Sequence, residues 1–172
     1  FKIFRTDPED TTAIGSNFVR NLAEGTAGKI WVGTDRGLYE YDSETETFRF
    51  LKNSSTEEVR DIEIDQKGNV WFISGSTLVR YSEKTKKIKR YRNSEFFEAS
   101  SISNIIDNEV WISTRRGTIE HYQAHSDTFV SYDMFENSPY TSSKWIERIF
   151  NTRRGSLLVG TSNQGAKIFT LK

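Results

Sequence analysis

The sequence has 172 residues, and its 24 lysines and arginines balance its 24 aspartates and glutamates. A net charge of zero argues against a nucleic-acid partner, which needs a basic footprint, and no apolar run approaches the roughly 20 residues of a membrane span. The absence of cysteine excludes disulfides but suits either the cytoplasm or the periplasm. We expect one domain, 1–172, and a start at Phe1 without a visible signal peptide suggests a mature or excised piece.

A tandem repeat organises the chain. Trp31, Trp71 and Trp111 follow one another at intervals of 40 residues, each inside a short apolar run. A fourth, weaker copy has Leu158 in the tryptophan position. The copies cover approximately residues 18–51, 59–92, 101–132 and 145–172. The sequence therefore predicts a tandem array of four similar structural units.

Each copy is predicted to contain four short strands, A to D, joined by tight turns. In the first copy strand A contains Val19 and Leu22, strand B is "IWVGT", strand C ends at Tyr41 and strand D is "TFRFL". Between strands A and B, Gly28, Gly68 and Gly155 stand where a reversal needs a positive φ. The third copy is three residues shorter here, and either Asp107-Asn108 or Asn108-Glu109 can form its two-residue hairpin.

Four strands repeated every 40 residues predict an all-β fold of β-propeller blades, about four four-stranded antiparallel units. Because one blade cannot bury both of its faces, the recurring tryptophans are predicted to form the core between neighbouring blades. The ends leave two alternatives open. Phe1–Asp7 resembles an outer strand and the fourth copy stops after strand C, so the ends could close a four-bladed ring, or the chain could be an arc of a longer propeller.

Two stretches carry a family resemblance. "GKIWVGTDRGLYEYDSET" (Gly28–Thr45) and "VRDIEIDQKGNVWFIS" (Val59–Ser74) resemble the two-component regulator propeller repeat. The resemblance favours the arc, a partial propeller from the periplasmic sensor region of a bacterial hybrid two-component system. It implies an inner-membrane parent similar to a sensor histidine kinase, a carbohydrate fragment as the ligand, and no membrane contact by this fragment.

The residues that could carry chemistry are sparse. His121 and His125 lack a carboxylate or second histidine at metal-ligand spacing, and no nucleophile or phosphate-binding fingerprint is present. We therefore predict no catalytic residue, no metal and no cofactor. Two alternatives remain: an enzyme similar to the streptogramin lyases, whose repeats are related, and a scaffold for protein–protein association.

A ligand site is predicted from blade topology. The turns between strands B and C and the connections between blades open on the same end of a propeller. Three arginines of these turns, Arg36, Arg115 and Arg116, are therefore predicted to lie at that end. The insertion 133–144 adds Tyr140 there, and Trp145 follows the insertion. Guanidinium groups bind oxyanions bidentately and exposed aromatics stack on sugars, so the predicted ligand is an oligosaccharide.

Two further expectations concern the surface. An open arc would leave an apolar blade face uncovered, which predicts a homodimer. The lysine-rich stretch "SEKTKKIKRYR" (Ser82–Arg92) is interpreted as an outer strand whose cations protect an exposed sheet edge.

Overall fold

The computed structural model describes residues 1–91, 97–138 and 142–170, and these residues form fifteen β-strands and no helix. The all-β prediction is therefore confirmed. In chain order the strands are β1 Val19–Glu24, β2 Lys29–Thr34, β3 Gly37–Asp42, β4 Thr47–Phe50, β5 Val59–Ile64, β6 Asn69–Ser74, β7 Thr77–Ser82, β8 Ile88–Tyr91, β9 Ala99–Ile102, β10 Trp111–Thr114, β11 Thr118–Gln123, β12 Thr128–Asp133, β13 Ile146–Asn151, β14 Ser156–Thr161 and β15 Ala166–Thr170.

The strands make four antiparallel sheets, each a meander in which sequence neighbours pair. Sheets β1–β4, β5–β8 and β9–β12 have four strands, and sheet β13–β15 has three. Residues 1–7, for which an outer strand is expected, form no strand. Contacts divide the chain into two compact units, Phe1–Arg90 and Tyr91–Lys172, so that each unit contains two of the repeats.

In the first unit, Trp31 fills the space between two sheets. Its side chain is completely buried and packs with Val59 and Ile62 of β5, and with β6 and β7. Tyr81 meets the indole edge-on, with 5.6 Å between ring centroids. The indole nitrogen donates a hydrogen bond of 3.1 Å to the Glu83 carboxylate, so the buried polar group is satisfied.

The second unit repeats this packing with Trp111. This residue is 4% exposed and lies in a cluster with Ile146 and Ile149 of β13 and with residues of β14. Trp71 is also completely buried. The tryptophan of one repeat thus packs on the first two strands of the next within each unit, as the core prediction requires.

The turns between the first two strands of each sheet also match the sequence pattern. Gly28, Gly68 and Gly155 have φ values of 72°, 74° and 75°. In the shortened third copy the left-handed residues are Asp107 and Asn108, with φ values of 52° and 61°, flanked by a bridge from Ile106 to Glu109. The two-residue hairpin therefore uses Asp107-Asn108, because a type I′ turn needs positive φ at both central positions.

Apolar side chains stand exposed on one sheet of each unit. Val19 and Leu22, which correspond in the repeat to Val59 and Ile62, are 47% and 62% exposed. In the last sheet Leu158 and Ile168 are 44% and 75% exposed. Val19 and Leu22 correspond to the residues that pack against Trp31 in the next repeat. Leu158 occupies, in the fourth repeat, the position of the tryptophan.

We expect the Trp31→Ala variant to lose about 3–5 kcal/mol of unfolding free energy, because it empties the core between two sheets. Urea denaturation followed by circular dichroism measures this loss. Trp145→Ala is the matched control, since Trp145 is 36% exposed and its removal leaves no buried cavity. Equal losses in the two variants would contradict the packing described for Trp31.

We expect the chain to self-associate through the exposed surfaces around Leu22 and Leu158, because large uncovered apolar patches favour burial against a second copy. Light scattering over a concentration series should show a mass that rises above the monomer. Leu22→Asp or Leu158→Asp should shift the protein towards the monomer, whereas Leu157→Asp, at a buried position, should unfold it. A monomer at every concentration would overturn this expectation.

Candidate functional site

The turn between β10 and β11 presents two arginines at one end of the second unit. The Thr114 hydroxyl oxygen accepts hydrogen bonds from the amides of Arg116 and Thr118, at 3.3 and 3.2 Å. The Arg115 amide donates to the Glu98 carbonyl at 3.0 Å. These three hydrogen bonds from backbone amides fix the turn and so determine where the two arginine side chains begin.

The insertion after β12 is anchored against this turn by one aromatic residue. Phe135 is 1% exposed, and its amide donates to the Asp133 carboxylate at 2.7 Å. Gly117, with φ of 90°, lies so close that a Cβ there would be 2.6 Å from the Phe135 ring. The Lys167 ammonium lies 4.0 Å from the ring centroid and donates to the Met134 carbonyl. The start of the insertion, Met134 and Phe135, is therefore held against the β10–β11 turn and against β15.

The far end of the insertion brings a tryptophan to the turn. The Arg115 guanidinium carbon lies 4.5 Å from the centroid of the Trp145 ring, a cation–π distance. Trp145 is 36% exposed. The Nε atom of Arg115 is buried and has no hydrogen-bond partner within the described part of the chain. The pair therefore combines an aromatic surface with a cation whose donors are incompletely used.

A third segment, the turn between β14 and β15, is bonded to the insertion. The Ser162 amide donates to the Trp145 carbonyl at 3.0 Å. The Ser162 and Ser143 hydroxyls lie 2.9 Å apart, and the side-chain nitrogen Nδ2 of Asn163 donates to the Ser142 hydroxyl at 2.6 Å. We call this set of segments the turn site: the β10–β11 turn, residues 142–145, and the β14–β15 turn.

The turn site joins only part of the predicted set. Arg115 and Trp145 are in contact, whereas Arg116 lies 3.7 Å from the Glu98 carboxylate, with both side chains about half exposed. Tyr140 lies outside the described residues. Arg36 belongs to the other unit, in the turn between β2 and β3.

Arg36 has surroundings of its own. It borders a cavity of about 490 Å³ together with Tyr39, Phe50 and Thr56. Burial raises the pKa of the Tyr39 phenol, partly offset by the charge of Arg36. The phenol therefore stays protonated at neutral pH and can act as a hydrogen-bond donor.

Several residues of the turn site were not predicted from the sequence. Ser142 and Ser143 bond to the neighbouring turn, and Phe135 anchors the insertion. A signal for Phe135 is present, because a large apolar residue in an otherwise polar insertion favours burial. Single serines in a polar loop carry no comparable signal.

The two histidines lie away from this arrangement. His121 is in β11, stacked on the Trp111 ring at 3.9 Å with an interplanar angle of 4°, and it is bonded to the Glu109 carboxylate. His125 follows β11. Across residues 1–91, 97–138 and 142–170 no group of three histidines or carboxylates could hold a metal ion. The same residues contain no helix long and apolar enough to cross a membrane.

Comparison with protein families tests the resemblance that the repeats suggest. Residues 13–36, which include the first strand, the Gly28 turn and β2, match the model described as "Two component regulator propeller". The match covers a single repeat of the array. The resemblance read from the repeat sequences is thereby confirmed. Among curated proteins none matches the sequence significantly.

Solved structures show the same fold. The extracellular domain assigned to the hybrid two-component system BT3049 from B. thetaiotaomicron superposes with a TM-score of 0.79 at 20% identity, covering 99% of this chain and 23% of its own. The extracellular domain assigned to the one-component system BT4673 from the same organism gives 0.67 at 14%, covering 91% and 20%. A streptogramin B lyase gives 0.66 at 14%, covering 92% and 56%.

These similarities confirm the predicted class, β-propeller blades. The chain spans about a quarter or less of the two extracellular domains and 56% of the lyase. At these identities the shared property is the fold, so the activity and ligands of the neighbours are their own.

We expect Gly117→Ala to destabilise the second unit by about 2 kcal/mol or more, since it adds a clash with Phe135 to the strain of a positive φ. The matched control is Gly165→Ala, where φ is 68° and a Cβ would meet nothing within 4 Å. Thermal denaturation of the two variants separates the strain from the clash. If both variants lose the same stability, the insertion is not anchored through Gly117.

Proposed function

We propose that this protein is a non-catalytic, ligand-binding part of the periplasmic sensor of a hybrid two-component system. The full-length parent would be an inner-membrane protein with a histidine kinase, and the ligand would be a carbohydrate fragment. The observation that carries the proposal is the contact between Arg115 and Trp145 at one end of the second unit, where residues 142–145 meet both the β10–β11 turn and the β14–β15 turn. The family match and the sensor domains among the structural neighbours support it.

The chemistry of the turn site suits a saccharide. An exposed indole offers an apolar face to a sugar ring, and a guanidinium binds hydroxyl or carboxylate oxygens. Asn163 and Gln164 are exposed amide side chains beside Ser142, and they supply both donors and acceptors. Arg116 and Tyr140 remain proposed ligand contacts of the second unit, and Arg36 remains a proposed ligand contact of the first unit.

We favour binding over catalysis because neither His121 nor His125 belongs to the turn site. A lyase on this fold would require a histidine and a metal-binding acid at the ligand end. His121 instead stacks on Trp111 inside a sheet, and its bonded partner Glu109 lies beside the β9–β10 hairpin. Alternation of turns along a meander puts that hairpin at the opposite end of the sheet from the β10–β11 turn.

We expect Trp145→Ala to weaken binding of a recognised oligosaccharide by about 2 kcal/mol, roughly thirtyfold in Kd, as for a stacking hot spot. A thermal-shift screen of neutral and uronic-acid oligosaccharides on the intact sensor domain identifies the ligand. The shift should then shrink in Trp145→Ala and in Arg115→Ala, because a ligand stabilises the folded state by mass action.

Arg154→Ala is the matched control for charge. Arg154 is exposed in the turn between β13 and β14, at the other end of the same sheet from the β14–β15 turn. The Arg154→Ala variant should bind the oligosaccharide as tightly as the unsubstituted protein does. A shift that is unchanged in both Trp145→Ala and Arg115→Ala would remove the turn site from the proposal, and no shift with any oligosaccharide would argue against carbohydrate sensing.

A further inference from the structure

A groove in the first unit runs between the outer strands of its two sheets. Its volume is about 650 Å³, within the range of small-molecule sites. One wall is formed by the end of β4 and the residues after it, and the other by β8 and the turn before it. The lining residues are Glu40, Arg49, Phe50, Leu51, Lys52, Asn53, Tyr81, Lys86, Ile88 and Arg90.

The two walls are tied together. The Arg90 side chain, on β8, donates from Nη2 to the carbonyls of Asn53 and Ser54 in the opposite wall, the latter at 3.0 Å. The floor is equally fixed, since Tyr81 is 4% exposed and packs edge-on against the buried Trp31. The groove is therefore largely formed before any ligand arrives, which lowers the ordering cost of binding.

The charge of the groove is strongly one-sided. Its lining contains four cationic side chains, Arg49, Lys52, Lys86 and Arg90, and a single carboxylate, Glu40. One oxygen of Glu40 accepts from Lys29 at 2.8 Å and from Arg49 at 2.9 Å, so this buried carboxylate is already neutralised by two partners. The hydrogen bond to Glu40 raises the pKa of Lys29, which shows that the pair favours the charged lysine.

The lysines face a surface that can hold an anion. Lys52 and Lys86 are exposed, and the Lys86 ammonium lies 6.0 Å from the centroid of the Tyr81 ring. Phe50, Leu51 and Ile88 add half-buried apolar surface between the cations. Arg49 and Lys52 come from the first sheet and the segment after it, and Lys86 and Arg90 from the second sheet, so cations of two sheets line one groove.

We propose that this groove binds a small polyanion, a compact molecule that carries two or more carboxylate, phosphate or sulfate groups. The cations would meet the oxyanion groups in charge-assisted hydrogen bonds, and the Phe50, Leu51 and Ile88 surface would cover the frame that joins these groups. The groove lies wholly within the first unit and shares no residue with the turn site. It is thus a second binding site, independent of the saccharide proposal.

Isothermal titration calorimetry of the whole chain in about 0.15 M salt tests this, because the salt screens long-range attraction and leaves close contacts. The probes are citrate, inorganic pyrophosphate and a disulfated disaccharide, which separate the three oxyanion chemistries. A neutral disaccharide is the blank. We expect at least one probe to bind, and the Lys52→Gln/Lys86→Gln variant to bind it at least about tenfold more weakly.

Lys84→Gln/Lys87→Gln is the matched control. Both lysines are exposed, belong to the same turn as Lys86 and lie outside the groove lining, so the change in net charge is the same. This variant should bind the polyanion with the affinity of the unsubstituted protein, as should Trp145→Ala. Equal loss of probe affinity in the two double lysine variants would show that only net charge matters and would overturn the proposed site in the groove. Failure of all three probes to bind would also overturn it.

Discussion

Burial of one large side chain between consecutive sheets is the constraint on which the rest of the structure depends. A four-stranded meander has two faces, and neither Trp31 nor Trp111 can be buried by its own sheet alone. Each is covered by the first strands of the next sheet in its unit, where β-branched residues such as Val59 and Ile146 receive it. The 40-residue period follows, because every copy must bring its tryptophan to the same height on its neighbour.

Because the inner strands must keep the residues that pack around the tryptophans, variation in sequence is confined to the turns and to the outer strands. The turn site depends on variation in the turns. Phe135 anchors the start of the insertion, and residues 142–145 at its end are bonded to the β14–β15 turn, so the Trp145 indole is held by these contacts before a ligand binds. The groove of the first unit depends on the outer strands, whose exposed positions carry cations while Ile88 still packs against the tryptophan core. Binding residues on a rigid scaffold are a general property of repeat folds.

The fold was largely predictable from the sequence, because it rests on a period, on glycines at turns and on apolar runs. In the third copy two hairpins were possible. The structure has positive φ at Asp107 and Asn108, and aspartate and asparagine adopt positive φ more readily than most residues. A common end of the fold for Arg115 and Trp145 was expected from the alternation of turns along a meander, whereas the contact between their side chains was not predicted. The pairing of Arg116 with Glu98 did not, since it depends on the side-chain direction at a turn. The cations of the groove were unpredictable for another reason: Lys52 and Lys86 are brought together by packing of two sheets, which no local pattern encodes.

A net charge of zero describes the whole chain and says little about any one surface. In the groove the single carboxylate is buried and doubly paired while four cations line the same cavity, so a neutral chain has a positive site. Such a site is too small for the extended footprint of a nucleic acid, which requires many phosphate contacts along its length. A cavity of this volume with fixed walls instead selects by the size and charge of a compact ligand. The composition therefore argues against a polymeric anion as partner, while the distribution of charge in three dimensions favours a small one.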